Sequence, residues 1–386
     1  MATNAHTQNP PSIDVGKFQK KIIATSPHLT VHACISEFDK RQTTIREVVV
    51  MNDSPLPLGK LRVDFLEKIL PTNLDPSVVV GPKVGEDATV IDFGSTYLVI
   101  TTDPITFATD EIGWYVVCVN SNDLATMGAT PKWLQVTILL PENKTTEKLV
   151  RNIIDQITNA CQHFNISLCG GHTEVTYGLD RPIVIGQMLG EVAKDKLIIS
   201  SSAQEGDDLI LTKGLGIEAT SIIARERESD LLKNFSPERV TQARKYLTDP
   251  GISVLKEASI AINTGGVHAM HDPTEGGIST AIHELAHAAN VGAMIWEDKL
   301  LISDITKSLC QAFGIDPLGA ISSGALLIAA DHDTSDQILL ALAKQEIPST
   351  IIGQLFSPED GIQLKRKDGQ NQPLPIFETD EITKIF

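Results

Sequence analysis

Five short segments in this chain combine carboxylates, amides or hydroxyls with glycine, in patterns suited to phosphate or a divalent cation. Gly81-Pro-Lys-Val-Gly-Glu-Asp-Ala88 stands just before an apolar stretch. Gly85 allows a ligand close to the backbone, and Glu86 and Asp87 offer the hard oxygens that magnesium takes. The same stretch also reads as an acidic surface turn, since a lone glycine loop is a weak signal. Asp103 follows Thr101-Thr102 at the end of a β-branched run. Ligand groups gather at strand C-termini in α/β proteins, although Asp103 before Pro104 would equally cap a turn. Asn120, Asn122 and Asp123 interrupt an otherwise apolar helix with poor helix formers, a local conflict expected at functional positions. In Gly170-Gly-His-Thr-Glu174, the residues Gly170, Gly171 and Thr173 suit a phosphate-contacting loop. His172 and Glu174 stand beside them as candidate catalytic groups, or as plain hydrogen-bonding residues. Finally, Asp272-Pro-Thr-Glu-Gly-Gly277 joins a strand to a helix. Gly276 and Gly277 open that helix, whose free amides attract anions, and Asp272 could hold the accompanying cation.

A sixth pattern points elsewhere. His283-Glu-Leu-Ala-His287 matches the H-E-x-x-H arrangement, which places two histidines on one helix face for zinc with Glu284 as base. A third ligand is wanting: Asn290 replaces the glycine of the extended motif and no histidine follows. An ordinary apolar face of Ile278, Ile282, Leu285 and Ala289 accounts for the helix without zinc.

These segments need elements to hold them. Val63–Leu70 reads as a short helix, and Thr89–Phe93 with Tyr97–Thr102 as a hairpin around Gly94-Ser95. Asp110–Met127 is a helix stopped by Gly128. Trp133–Leu140 is a strand and Thr145–Phe164 an amphipathic helix. Ser167–Cys169 and Ile183–Val192 are strands. A second unit opens near Ile198. Its expected strands are Leu209–Thr212, Val267–His271, Ala325–Ala330 and Ile351–Phe356. Its expected helices are Gly214–Arg225, Pro237–Tyr246, Ile252–Thr264, Ile278–Ala289, Asp304–Phe313 and Thr334–Lys344. Ile45–Met51 is β-branched enough for a strand. Lys365–Asn371 is a polar turn.

Composition sets the class. The 386 residues carry 32 Lys+Arg against 49 Asp+Glu, a formal charge of −17, which argues against binding a nucleic-acid backbone. A nucleotide ligand stays open, because a bound cation reverses the local sign. Residues 1–55 are near neutral and read as an N-terminal extension. Cysteines 34, 118, 161, 169 and 310 are odd in number and unevenly spaced, giving neither a disulfide framework nor a zinc ribbon. With no spanning stretch and no secretory signal, a reducing cytoplasm is expected.

Taken in order, these segments resemble the PurM-like superfamily of ATP-utilising proteins. The AIR-synthase-related branch that includes the hydrogenase-maturation protein HypE is most similar. Asn122-Asp-Leu-Ala-Thr-Met-Gly-Ala129 resembles its N-D-L-A-x-M-G-A helix, and Gly85-Glu-Asp-Ala-Thr-Val90 its G-D-D-A-A-V loop. Asp272-Pro-Thr-Glu-Gly-Gly277 resembles D-P-T-R-G-G, and Ser322-Ser-Gly324 with the strand after it also fits. The likeness runs from about Leu58 to Glu359. It implies a two-domain α/β (α+β) PurM-like fold. Residues 56–197 would form an N-terminal ATP-binding domain that builds a β-barrel with its copy in a homodimer. Residues 198–360 would form the C-terminal domain, and 361–386 a tail. It also implies transfer of the ATP γ-phosphoryl group to an oxygen, with Mg2+ and ATP as cofactors. Asp87, Asp103, Asp123 and Asp272 fall on the family's acidic metal or phosphate positions. Gly85, Asn120, Asn122, Gly170, Gly171, Thr173, Gly276 and Gly277 fall on its nucleotide-contacting segments.

The departures lie on the acceptor side. HypE ends in a cysteine that carries the group to be dehydrated, whereas this chain ends Glu381-Ile-Thr-Lys-Ile-Phe386. The HypE loop T-G-D-T-K-V reads Gly170-Gly-His-Thr-Glu-Val175 here, closer to selenophosphate synthetase. The N-terminal cysteine and lysine of that enzyme have no counterpart around Leu58-Gly59-Lys60. Two expectations follow. One is an ATP-dependent phosphoryl-transfer enzyme acting on a small molecule or a partner-borne group. The other is a nucleotide-binding accessory protein that works through a partner.

Overall fold

The structure is a computed structural model that describes Leu56 and residues 58–61, 63–108 and 110–386. The strand expected at Ile45–Met51 lies outside them. Apolar alternation builds the first sheet. Its strands are β1 (Val78–Val80), β2 (Thr89–Asp92), β3 (Thr96–Ile105), β4 (Thr130–Pro141), β5 (Ser167–Thr176) and β6 (Ile183–Ala193). They lie in the order β1-β2-β3-β6-β4-β5. The β4–β5 pair is parallel, and the others are antiparallel. Every second residue of β6, from Val184 to Val192, is buried, and its alternates are half-exposed, so one face is core and the other open.

After α1 (Val63–Ile69), the helices α2 (Ile112–Thr126) and α3 (Glu147–His163) belong to this half. Thr146 caps α3, its hydroxyl accepting from the Leu149 amide at 3.2 Å. Only one stripe of α3 is buried, with Ile153, Ile157 and Ala160. α2 is buried on all sides, and its polar side chains Asn120, Ser121, Asn122 and Asp123 find partners inside the protein. It is wedged between the first sheet and the second half of the chain.

The second sheet is β13-β12-β9-β11-β7-β10-β8. Its strands are β7 (Asp208–Thr212), β8 (Val267–His271), β9 (Gly292–Trp296), β10 (Leu327–Ala330), β11 (Ser349–Phe356), β12 (Ile362–Lys365) and β13 (Asn371–Pro373). Its helices are α4 (Ile217–Glu226), α5 (Pro237–Lys245), α6 (Leu255–Thr264), α7 (Gly277–Ala289), α8 (Asp304–Phe313) and α9 (His332–Ala343). β7 and β10, between β11 and β8, are fully buried. One apolar cluster runs from Val90 and Val99 through α2 to Ile217 and Ile222 of α4, so the two halves share a core.

Three expectations change. β3 runs on to Ile105, so Asp103 lies within a strand rather than after one. Gly170–Glu174 is part of β5 rather than a loop. Residues 361–386 add β12 and β13 to the second sheet and bury Ile382 and Ile385, so they are not a tail.

Candidate functional site

Four aspartates from four separate segments converge where the halves meet. Asp87 precedes β2, Asp103 lies in β3, Asp123 ends the polar run of α2, and Asp272 follows β8. Two of them are fixed by neighbours from α2 and β3. Thr101 Oγ1 donates to Asp123 Oδ2 at 2.7 Å. The Asp103 amide donates to Asn120 Oδ1 at 2.9 Å. Gly186, opposite Asp103 in β6, leaves room for that amide, because a Cβ there would lie 2.5 Å from Asn120 Nδ2.

Carboxylates this close oppose one another's ionisation. Burial, reinforced by the charges of Asp103, Asp272 and Asp87, holds Asp123 well above the usual carboxylate range. Burial, with Asp87 beside it, pushes Asp272 up to about 8. Three basic or acidic side chains complete the cluster. His271 Nδ1 lies 2.5 Å from Asp87 Oδ1, and its Nε2 donates to Glu284 Oε2 at 3.0 Å. Burial alone would lower the His271 pKa; Asp87 and Glu284 outweigh it and raise it well above the ordinary value. Lys60 Nζ lies 2.6 Å from Glu284 Oε1, and its amide donates to Glu275 Oε2 at 3.0 Å. Burial opposes ionisation of Glu284, but His271 and Lys60 bring it down to about 2.

The cluster is under-satisfied. Asp87 Oδ2, Asp272 Oδ2 and His271 Nδ1 are buried without a hydrogen-bond partner. Ligand atoms of these three residues lie within 4.8 Å of one another. A buried polar atom without a partner costs about 1–3 kcal/mol, so three on one spot fit a cation with hard or borderline preferences.

The other expected residues do different work. Asn122 ties the halves together: its Nδ2 donates to Ile252 O and its Oδ1 accepts from the Val254 amide, both at 2.9 Å. Gly85 has φ +84°, and a Cβ there would lie 2.6 Å from Glu284 O. Its closest approach is therefore to α7 of this chain. Glu86 accepts from the Ser200 and Ser201 amides at 3.0 and 3.2 Å, so both its carboxylate oxygens are engaged there. The amides expected to meet an anion are engaged within the chain: Gly276 N donates to Asp380 Oδ2 at 2.6 Å and Gly277 N to Thr274 O at 3.0 Å.

Gly170, Gly171, His172, Thr173 and Glu174 are exposed on the edge strand β5. His172 Nε2 and Glu174 Oε2 pair with each other at 3.1 Å. Register places them: Asp103 faces Gly186, Gly186 faces Val136, and Val136 faces Gly171. Three strand spacings separate Gly171 from Asp103, roughly 14 Å. Within one chain His172 and Glu174 are not brought to the acidic cluster.

The H-E-x-x-H histidines diverge as well. His283 Nε2 lies 3.3 Å from Leu374 O and His287 Nε2 2.6 Å from Glu67 Oε1, while Glu284 belongs to the cluster. That arrangement removes the zinc-peptidase reading. His271 and Lys60 were not singled out from sequence as site residues, and Thr101 was named only as the lead-in to Asp103. The signals were present: a histidine beside Asp272, a hydroxyl two residues before Asp103, and Lys60 in an otherwise apolar turn.

Two α/β halves, each built on a mixed sheet, make this a two-domain PurM-like fold. Residues 85–192 match the N-terminal domain of the AIR synthase related proteins, and residues 204–365 match their C-terminal domain. The chain belongs to that family. A Methanocaldococcus jannaschii protein described as a hydrogenase expression/formation protein is 29% identical over 314 residues, 79% of this chain and 90% of its own. Selenide, water dikinase of the same organism is 25% identical, over 84% of this chain and 96% of its own. The crystal structure of hydrogenase maturation protein HypE in complex with ATP matches with a TM-score of 0.64 at 20% identity, over 83% of this chain and 91% of that one. Among the described residues, no helix is long and apolar enough to cross a membrane.

Proposed function

We propose that this protein binds ATP with divalent cations at the Asp87–Asp103–Asp123–Asp272 cluster and transfers the γ-phosphoryl group to an acceptor oxygen. The observation that carries the reading is the convergence of these four carboxylates with three unpartnered buried atoms. The relatives named above support the nucleotide, since one neighbouring structure holds ATP and one relative is a dikinase.

A divalent cation bound there would neutralise phosphate oxygens and align the transferred group. This chain's residues would do the rest. Asp87, Asp103, Asp123 and Asp272 hold the ions. Thr101 and Asn120 keep two of those acids in place. Lys60, on a half-exposed segment, brings a cation to the rim of the cluster, suited to charge developing on the transferred phosphoryl. Gly85 sets the spacing between the Asp87 loop and Glu284. Asn122 keeps the halves in register, so that Asp123 and Asp272 meet.

The acceptor is a small molecule or a group borne on a partner. A homodimer formed through the open face of the first sheet would give β5 a role. That face carries half-exposed Ile183, Ile185 and Leu189, and β5 ends beside Tyr177, which is 84% exposed. A second copy there could bring His172 and Glu174 to an ATP site. The reading includes the cytoplasmic setting that the cysteine pattern suggests.

Calorimetry of ATP with Mg2+ tests it. The wild-type chain should bind and Asp123→Ala should not. Equal affinity in the two would remove the assignment. Binding without turnover across a metabolite library would leave the accessory-protein reading in its place.

A further inference from the structure

We propose that Asp87, His271 and Asp272 form a mixed nitrogen–oxygen site that selects a first-row transition ion over Mg2+. The inference rests on the phosphoryl-transfer reading above and names the ion of that same cluster. Magnesium is held by oxygen and keeps its waters. Imidazole nitrogen shifts preference toward the transition ions. Here one imidazole nitrogen stands among the carboxylates, and the three unpartnered atoms are one from each residue: Asp87 Oδ2, His271 Nδ1 and Asp272 Oδ2.

The second observation is on the far side of the ring. Metal-bound histidines usually give their other nitrogen to a carboxylate, which fixes the ring and raises its basicity. His271 Nε2 donates to Glu284 Oε2 at 3.0 Å, and Glu284 is itself held by Lys60 at 2.6 Å. That leaves Nδ1 facing the carboxylates. Ligands about 2.1 Å from one ion lie roughly 3 to 4 Å apart, so a 4.8 Å cluster needs only a small contraction. Nδ1 stands 2.5 Å from Asp87 Oδ1 as an ion pair, so a bound ion would take the place of the ring proton between these two residues.

The test uses the full chain, stripped of metal, with Mn2+ alone and no nucleotide. Pulsed electron paramagnetic resonance should detect a directly bound nitrogen, and Mg2+ should displace Mn2+ only in large excess. His271→Gln should lose the nitrogen signal and most of the preference for Mn2+. Glu284→Gln should keep the signal and weaken Mn2+ by about 10-fold or more. Bound Mn2+ without nitrogen coupling, absence of binding, or an unchanged Mn2+/Mg2+ ratio in His271→Gln would each overturn the proposal. The wild-type spectrum decides the matter even where a variant misfolds. Because no nucleotide is present, failure of ATP binding in calorimetry stays a separate result.

Discussion

His271 donates to one oxygen of Glu284 while Lys60 holds the other, so a single buried carboxylate joins the N-terminal segment to the acidic cluster. Glu284 lies in a pattern that spells a zinc helix, yet its partners come from β8 and from the residues before α1. The carboxylate thus organises the two basic groups nearest the aspartates.

Lys60→Gln tests that organisation. Its side chain is 48% exposed, so its pair with Glu284 should add less than about 1 kcal/mol to stability. Its charge at the rim should matter far more to catalysis. Loss of one preorganised charge of this kind costs about 10²-fold in kcat. Steady-state ATPase and a urea midpoint on the same preparation separate the two effects. A large midpoint shift with unchanged turnover would make Lys60 structural only.

Asn122→Ala should behave the other way. Its amide satisfies Ile252 O and the Val254 amide inside the seam between the halves. Truncation orphans two buried backbone groups, at about 1–3 kcal/mol each. The urea midpoint should fall by the equivalent of roughly 2–6 kcal/mol, and ATP affinity should fall with it as the seam loosens. A variant as stable as wild type would show that water replaces both bonds.

How much of this was legible follows from range. The helices and inner strands came from periodicity, and Val267–His271 and Asp304–Phe313 match residue for residue. Asp123 stood out because it breaks a helical pattern, Asp87, Asp103 and Asp272 because they lie in a glycine loop, at a strand end and before a helix; the family resemblance joined the four. What sequence could not show is which amides already have partners. Gly276 and Gly277 look like an open anion site until Asp380, 104 residues away, is seen bonded to Gly276. The Gly170–Glu174 segment looks like a loop because its two glycines disfavour a strand. β5 forms there regardless, because β4 supplies parallel partners along its whole length. β9 and β12 were missed because each is short and takes its register from strands distant in sequence.

Gly85→Ala should separate binding from folding. At φ +84° an alanine is strained, by about 1–3 kcal/mol, and its Cβ would press on Glu284 O at 2.6 Å. The loop carrying Asp87 must then move off α7, taking Asp87 from His271. Divalent-ion affinity should drop by at least about tenfold, a 1.4 kcal/mol change, while the fold survives. Isothermal titration with the ion alone reads this; unchanged affinity would mean that the loop adjusts without moving Asp87.

The last prediction concerns pH. Asp123 and Asp272 have folded pKa values above those of the unfolded chain, Asp272 rising to about 8, and His271 is raised as well. All three bind more protons folded than unfolded. The stability each contributes is present at low pH and is lost as pH rises: from about 4 upward for the aspartates, toward 8 for Asp272, and above 6.5 for the histidine. Glu284 runs oppositely, but its window lies between 4.5 and about 2, below the range of interest. The metal-free protein should therefore lose stability from pH 5 to 8, by about 1.4 kcal/mol per pH unit for each excess proton. Cation binding needs these carboxylates ionised, so the gap in Tm between ion-loaded and chelated protein should widen over the same interval. Glu218 and Asp380 are also raised by burial and tilt the baseline the same way, which makes Asp272→Asn the necessary control. That variant should flatten the metal-free curve and close part of the gap. A chelated wild-type Tm that is flat or rises from pH 5 to 8 would contradict the charge arrangement on which the site assignment depends.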